Sequence, residues 1–194
     1  MASICVYCGS SPGSDPAFLQ SAREVGALLA KRGHTLVYGG GNVGLMGAVA
    51  DAVMAAGGHV VGVIPDHLAS KELAHNGLTK LHVVASMHER KHLMASLADG
   101  FLALPGGIGT LEEIIEVFVW MQLALHAKPC ALLNVNGYYD PLVSFLTRMT
   151  ESRFLRAEQL SQLIVAREPA EALDRLSSFT PTVVEKWMDR KKAD

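Results

Sequence analysis

Short apolar stretches alternate along the chain with longer segments in which apolar residues recur at helical spacing. The short stretches consist mostly of Val, Ile, Leu and Ala, which is typical of strands buried on both faces of a parallel sheet. The pattern predicts strands at residues 3–7, 35–38, 60–64, 81–84, 100–104, 130–134 and 163–166. It predicts helices at residues 17–31, 45–56, 88–98, 111–126, 141–151 and 170–176.

This alternation indicates right-handed crossovers between parallel strands. We therefore expect an α/β fold, a three-layer Rossmann-like sandwich with a mostly parallel sheet flanked by helices. Residues 1–180 are expected to form one domain, and residues 181–194 a peripheral tail.

The apolar runs are shorter than the roughly 18 residues of a membrane span, and no basic leader precedes them, so we expect a cytoplasmic protein. A net charge of -2 argues against a nucleic-acid surface.

Two sequence patterns suggest metal or redox chemistry, but their surroundings argue against both. Cys5 and Cys8 spell C-x-x-C inside an apolar strand, whereas a redox pair belongs at a helix N-terminus, so buried thiols are expected. Residues 88–92 spell H-E-x-x-H, the zinc-protease pattern. Two cations inside that pattern would repel Zn²⁺, and Glu89 has the spacing of a helix cap, so we expect no metal.

Unusual residues cluster at three turns between a strand and the following helix, at residues 8–11, 39–44 and 105–110. Ligands of open parallel sheets bind at the carboxyl ends of the strands, where these turns lie. The glycines of 39–44 match the dinucleotide fingerprint formally, and Asp66 follows at a loose spacing, so NAD binding is a minor alternative. Phosphate binding and simple tight packing explain this turn equally well.

The turn at 105–110 leads into a long helix and offers both N–H groups and nearby carboxylates. Thr110 and Glu113 have the spacing of a capping box, in which both side chains satisfy N–H groups at the helix start. Capping is one interpretation of Glu113. In the other, Glu112 and Glu113 reach the cleft, where Glu113 orients ribose hydroxyls or activates water.

Two cations, Arg90 and Lys91, follow the predicted cap at Ser86. They fall within about the first turn and a half of a helix, where the helix dipole disfavours positive charge. A clamp for an anion such as phosphate would justify that cost. The alternative is an exposed pair of solvated side chains.

Several ordered segments resemble the LOG ("Lonely Guy") family. They are Gly-Gly-Gly-Asn-Val-Gly-Leu-Met-Gly (39–47), Met-His-Glu-Arg-Lys (87–91) and Pro-Gly-Gly-Ile-Gly-Thr-Leu-Glu-Glu (105–113). The last of them matches the family's P-G-G-x-G-T-x-x-E signature at every fixed position. The likeness begins at residues 5–10 and extends to Asn-Gly-Tyr-Tyr at 136–139.

The resemblance implies a homodimer that hydrolyses cytokinin riboside 5'-monophosphates to the free base and ribose 5-phosphate. The family's essential Arg and Glu correspond to Arg90 and Glu113. Position 118 is also a nucleotide-binding position of the family; plant members tend to have Thr there, and this chain has Phe. The family's nucleotide-binding positions correspond to Glu72, Arg90, Lys91, Gly106, Gly107, Ile108, Gly109, Thr110, Leu111 and Glu112.

Such hydrolysis passes through a ribosyl cation-like state, so it needs negative charge beside the sugar and a positioned water. We expect Glu113 to supply both, Arg90 to hold the phosphate or the departing base, and Lys91 to share the phosphate. No cofactor is required. Two alternatives remain open: an AMP nucleosidase without cytokinin preference, and a nucleotide or molybdopterin-type carrier without catalysis.

The predicted helix at 111–126 is apolar nearly all round, so it must be covered on more than one side. Burial in the core explains this pattern, and so does a two-fold interface beside the active site. We expect the interface.

Overall fold

The computed structural model describes residues 2–69 and 74–182. Its seven strands form one sheet in the order β4-β3-β2-β1-β5-β6-β7. Each pairing between neighbouring strands is parallel. The strands are β1 Ser3–Tyr7, β2 Thr35–Tyr38, β3 His59–Pro65, β4 Lys80–Val84, β5 Gly100–Ala103, β6 Cys130–Leu133 and β7 Leu163–Ala166.

Helices cover both faces of the sheet, which confirms the predicted three-layer sandwich. Helices α1, α2 and α8 pack on one face, and α4, α5 and α6 pack on the other. A short 3-10 turn, Val135–Gly137, precedes α6. The helices are α1 Pro16–Lys31, α2 Gly44–Ala55, α3 Asp66–Leu68, α4 Met87–Leu97, α5 Ile108–Gln122, α6 Asp140–Glu151, α7 Ala157–Leu160 and α8 Pro169–Ser177.

The hydrophobic core has two halves, one on each side of the sheet. Alternate residues of β1 show the division, because Ile4 and Val6 face α1 and α2 while Cys5 and Tyr7 face α4 and α5. All four are at most 5% exposed. Burial on both faces explains why the strands contain few polar residues.

The strand order reverses direction between β1 and β5, which creates the crevice where open α/β sheets bind ligands. Helix α4 links the edge strand β4 to β5, and its path crosses β3, β2 and β1. This long crossover brings the start of α4 over the carboxyl ends of the central strands. The topology therefore places α4 beside α5, the helix that follows β5.

The predicted elements are confirmed: β1, β2 and β7 have the predicted bounds, the others shift by one to four residues, and the largest shift concerns α5. This helix was predicted at residues 111–126 but runs from Ile108 to Gln122. Ala124 adopts a left-handed conformation with φ 57°, which ends the helix early. The short helices α3 and α7 were not predicted. Residue 72 and most of the predicted tail, 183–194, lie outside the described residues.

Among the residues that the structure describes, no helix is both long enough and apolar enough to cross a membrane.

Candidate active site

A cleft of about 330 Å³ opens at the switch point between β1 and β5. It is lined by residues 9–13 and 105–107, with Leu45, Phe18 and Tyr138 at its walls. The three glycine-containing turns meet here, because the N–H of Gly9 donates to the carbonyl of Pro105 at 3.1 Å and the N–H of Leu45 donates to the carbonyl of Gly9 at 3.0 Å. A larger groove of about 710 Å³ lies between α1 and α2, but its lining includes no residue of the turn at 105–110.

The β5–α5 turn presents helix N–H groups at this cleft. Gly107 is the residue before the helix, and α5 begins at Ile108, so Thr110 lies inside the first turn. The predicted capping box of Thr110 and Glu113 is therefore wrong. An α-helix leaves its first N–H groups without intrahelical partners, which here are those of Ile108, Gly109 and Thr110. Together with the helix dipole, they make an anion-binding arrangement.

Glycine is required at position 106 by the close packing of this turn. A Cβ atom there would lie 2.2 Å from Thr110 Oγ1 and 2.8 Å from the N atom of Gly9. Thr110 itself is only 4% exposed, and its side chain packs against Gly106 on the buried side of the turn. Gly107, Ile108 and Gly109 are exposed at its surface.

Arg90 is held in place by the carboxyl ends of two central strands. Its Nε atom donates to the carbonyl of Val63 at 3.1 Å, and Nη2 donates to the carbonyl of Gly39 at 3.2 Å. A Cβ atom on residue 39 would lie 1.9 Å from Nη2, so glycine there makes room for the guanidinium. The Arg90 side chain is 11% exposed, which excludes the solvated pair considered above.

The remaining face of this guanidinium meets the carboxylate of Glu113. Arg90 Nη1 lies 3.5 Å from Glu113 Oε1, and both side chains are 11% exposed. Burial raises the pKa of Glu113 to about 7, although Arg90 opposes the rise. The structure thus brings together the two residues predicted to be catalytic, and a carboxylate with a pKa of about 7 can accept and release protons near neutrality.

Lys91 also meets carboxylates of α5. Its Nζ atom donates to Glu112 and, at 3.1 Å, to Glu116. Burial lowers the pKa of Lys91, but the hydrogen bonds to these two carboxylates outweigh it, so the pKa lies above its ordinary value. An ammonium has three donors, which leaves one for a ligand. Glu116 was not singled out in the sequence, although its spacing of four residues from Glu112 places both on one helix face.

Close packing explains Gly44, at the end of the turn at 39–44, and Gly47, which follows it in α2. A Cβ atom on Gly44 would lie 2.3 Å from the carbonyl carbon of Ser10, and one on Gly47 would lie 2.4 Å from the carbonyl oxygen of Asn42. The N–H of Leu45, in the first turn of α2, already donates to Gly9. This turn also follows β2, which is not at the switch point, so the structure does not favour the dinucleotide alternative.

The other sequence patterns have structural explanations. Ser86 caps α4 by accepting from the N–H of Glu89 at 3.1 Å, and the Glu89 carboxylate accepts from the N–H of Ala85 at 2.9 Å. Within residues 2–69 and 74–182, no group of three His, Cys, Asp or Glu residues is placed to hold a metal. Cys5 and Cys8 are buried free thiols, as predicted.

Two tyrosines after β6 contact the β5–α5 turn and were noted in the sequence only as part of the resemblance. The hydroxyl of Tyr138 donates to the carbonyl of Gly106, and that of Tyr139 donates to the carbonyl of Leu104. Local hydrophobic periodicity gives no signal for such contacts, because the residues are 32 and 35 positions apart.

The remaining predicted binding positions have different surroundings. Leu111 is half-buried at the start of α5, and Phe118 is 2% exposed in the core beneath the site. Glu72 lies outside the described residues. The fold and the site together define a Rossmann-like α/β protein with a buried guanidinium–carboxylate pair near its switch-point cleft.

Comparison with known proteins identifies the family. A family model described as "Possible lysine decarboxylase" matches residues 46–176. The cytokinin riboside 5'-monophosphate phosphoribohydrolase LOG of Oryza sativa subsp. japonica is 46% identical over 178 residues, which cover 92% of this chain and 74% of that protein. A cytokinin riboside 5'-monophosphate phosphoribohydrolase of Rhodococcoides fascians is 48% identical over 177 residues, covering 91% and 89%. The chain belongs to the LOG family.

Solved structures share the fold. The molybdenum cofactor binding protein from Rippkaea orientalis matches with a TM-score of 0.70 over 91% of this chain and 96% of that chain. The two sequences are 23% identical, so this likeness concerns the fold alone.

Proposed function

We propose that this protein hydrolyses the N-glycosidic bond of nucleoside 5'-monophosphates, in particular cytokinin riboside 5'-monophosphates and also AMP. The products are the free base and ribose 5-phosphate. The observation that carries the proposal is the buried pair of Arg90 and Glu113, 3.5 Å apart, near a cleft suited to a phosphate. The relatives from Oryza sativa and Rhodococcoides fascians, which carry this activity in their names, support it.

In this mechanism the 5'-phosphate binds at the start of α5, on the N–H groups of Gly107, Ile108, Gly109 and Thr110. The sugar then extends towards Glu113, whose negative charge stabilises the developing ribosyl cation. The bond between C1' and the base nitrogen breaks, and a water oxygen bonds to C1'. Glu113 accepts the proton that this water loses, and the base nitrogen takes a proton from solvent. Glu113 then returns its proton to solvent, so one water is consumed with no net gain or loss of protons.

Arg90 has a narrower task than a mobile phosphate clamp. Its contacts with Val63, Gly39 and Glu113 fix its orientation and occupy several of its five N–H donors. It therefore orients the carboxylate and has a donor left for the nucleotide. Lys91, paired with Glu112 and Glu116, joins α4 to α5 and offers its third donor to the phosphate.

Decarboxylation of lysine, the activity in the family model's description, fits this site poorly. A lysine that forms a Schiff base with a cofactor must lose its proton and is usually found with a lowered pKa. The two carboxylates beside Lys91 raise its pKa instead.

We further propose that the protein is a homodimer joined through the face of α4 and α5. Val119 on α5 and Leu123 directly after it are 38% and 44% exposed, and Met87 and Leu97 on α4 are 40% and 36% exposed. Sedimentation should give the mass of two chains, and Leu123→Glu should lower it to one. Phe145→Glu, on the exposed side of α6, is the control and should leave the mass unchanged; a wild-type monomer would contradict the proposal.

One assay tests the activity. The protein is incubated with AMP and with isopentenyl-AMP, and the release of ribose 5-phosphate is measured. A preference for isopentenyl-AMP supports the cytokinin assignment, and equal rates indicate a general AMP nucleosidase. Glu113→Gln should lose turnover with the fold intact, whereas Glu24→Gln, on the exposed side of α1, should not. No release from either nucleotide by the wild type would favour a non-catalytic nucleotide carrier.

A further inference from the structure

Tyr138, which follows β6, contacts the proposed phosphate-binding turn 32 residues earlier in the sequence. It lines the cleft, and its hydroxyl donates to the carbonyl oxygen of Gly106 at 2.5 Å. Its ring meets those of Phe18 and Tyr139 edge-on, with centroids 5.4 and 5.0 Å away. These two contacts hold the ring in place, so the hydroxyl is a fixed donor.

The backbone before Tyr138 is equally well held. Asn134 is 3% exposed, and its side chain accepts from the N–H of Tyr139 and donates to Asp140, each at 2.7 Å. The connection from β6 to α6 is therefore a rigid support for the turn.

Peptide geometry links this contact to ligand binding. The carbonyl of Gly106 and the N–H of Gly107 belong to one planar trans peptide, in which they point in opposite directions. A hydroxyl that fixes the carbonyl therefore also fixes the N–H. Because the peptide joins two glycines, little steric hindrance would prevent it from turning over. Turned over, it would present a carbonyl oxygen to the phosphate and repel it.

We propose that Tyr138 is a positioning residue that keeps the N–H of Gly107 directed at the phosphate group of the nucleotide. The inference rests on the proposed function, since that assigns the phosphate to this turn. It assigns to Tyr138 a role in affinity for phosphate, and none in the bond-breaking step, which belongs to Arg90 and Glu113.

The chain supplies a matched control in Tyr139. Its hydroxyl donates to the carbonyl of Leu104 at 2.6 Å, a bond of the same kind to the same turn. The next residue is Pro105, which has no N–H, so this bond orients no donor. Tyr139 is 5% exposed and Tyr138 is 41% exposed, so loss of the Tyr139 hydroxyl should destabilise the fold more.

The test uses Glu113→Gln as the parent protein, because it should bind AMP without hydrolysing it. The parent alone, the parent with Tyr138→Phe and the parent with Tyr139→Phe are compared by calorimetric titration with AMP and with adenosine, which differ only in the phosphate. Tyr138→Phe should weaken AMP binding about tenfold, the effect of losing one charge-assisted hydrogen bond, and leave adenosine binding unchanged. Tyr139→Phe should lower the melting temperature more but leave the ratio of the two affinities unchanged. In turnover, Tyr138→Phe should raise KM and leave kcat nearly unchanged.

The amide resonance of Gly107 in isotope-labelled protein gives a direct readout. AMP should shift it in the Glu113→Gln parent and in the parent with Tyr139→Phe, and should shift it much less in the parent with Tyr138→Phe. The inference is overturned if Gly107 does not respond to AMP in the parent, if Tyr138→Phe leaves AMP binding unchanged, or if Tyr139→Phe weakens AMP binding equally. Failure of the proposed function is a separate result, because the wild type would then bind AMP without releasing ribose 5-phosphate.

Discussion

Replacing Glu113 by Gln should stabilise the protein above neutral pH while it removes activity. Burial raises the pKa of this carboxyl from its ordinary value of 4.5 to about 7, so the folded protein binds the proton more tightly than the unfolded chain. The free energy of unfolding therefore falls as pH rises between these two values, and the full loss of stability is reached above about pH 7. The difference between the two pKa values corresponds to about 3 kcal/mol.

Gln has the shape of the protonated acid and keeps its hydrogen-bonding capacity without the charge. The free energy of unfolding, measured by urea titration, should thus be similar for Glu113→Gln and wild type at pH 4.5. At pH 8 the variant should be more stable by up to about 3 kcal/mol. Glu24→Gln, on the exposed side of α1, should show no such pH-dependent difference. A Glu113→Gln variant whose stability differs from wild type equally at both pH values would refute the reasoning.

Three further predictions concern the same site. The ratio kcat/KM should rise with pH through about 7, because Glu113 then loses its proton and can accept one from water. A kcat/KM that falls with pH through this range would contradict the assignment. Gly39→Ala should displace Arg90, since its Cβ would lie 1.9 Å from Nη2, and should lower kcat/KM at least about tenfold. Gly77→Ala is the control, because the nearest atom to its Cβ is 3.4 Å away. Lys91→Ala should lower the free energy of unfolding by about 1–2 kcal/mol in urea titrations, because Glu112 and Glu116 then face each other without a cation, whereas Lys91→Arg should recover most of that loss.

The strands and the three functional turns could be predicted because their signals are local. A strand buried on both faces, such as Cys130–Leu133, must be apolar throughout, and the pattern shows this without knowledge of its neighbours. The start of α4 could be predicted for the same reason, since the Ser86 cap depends on residues three positions apart. These features defined the sheet and the edge at which the site lies.

The start of α5 was predicted wrongly because two local signals competed. Thr110 and Glu113 have capping-box spacing, but the helix begins directly after Gly107, and the Thr110 side chain packs against Gly106. Tertiary packing of the turn decided the outcome. The earlier start of α5 matters for function. It leaves Glu113 without a capping role, so its carboxylate is available to Arg90.

The partners of Arg90 could not be predicted, because they follow from the order of the strands. Its hydrogen bonds to Gly39 and Val63 span 51 and 27 residues. They form only because α4 leaves the edge strand β4 and crosses three strands before the chain enters β5. Had β5 followed next to β4, α4 would cover the edge of the sheet, and Arg90 would lie away from the α5 carboxylates. The crossover that builds the sheet is thus also what joins the guanidinium to Glu113, so substitutions that shift α4 along the sheet should affect catalysis even when they touch neither residue.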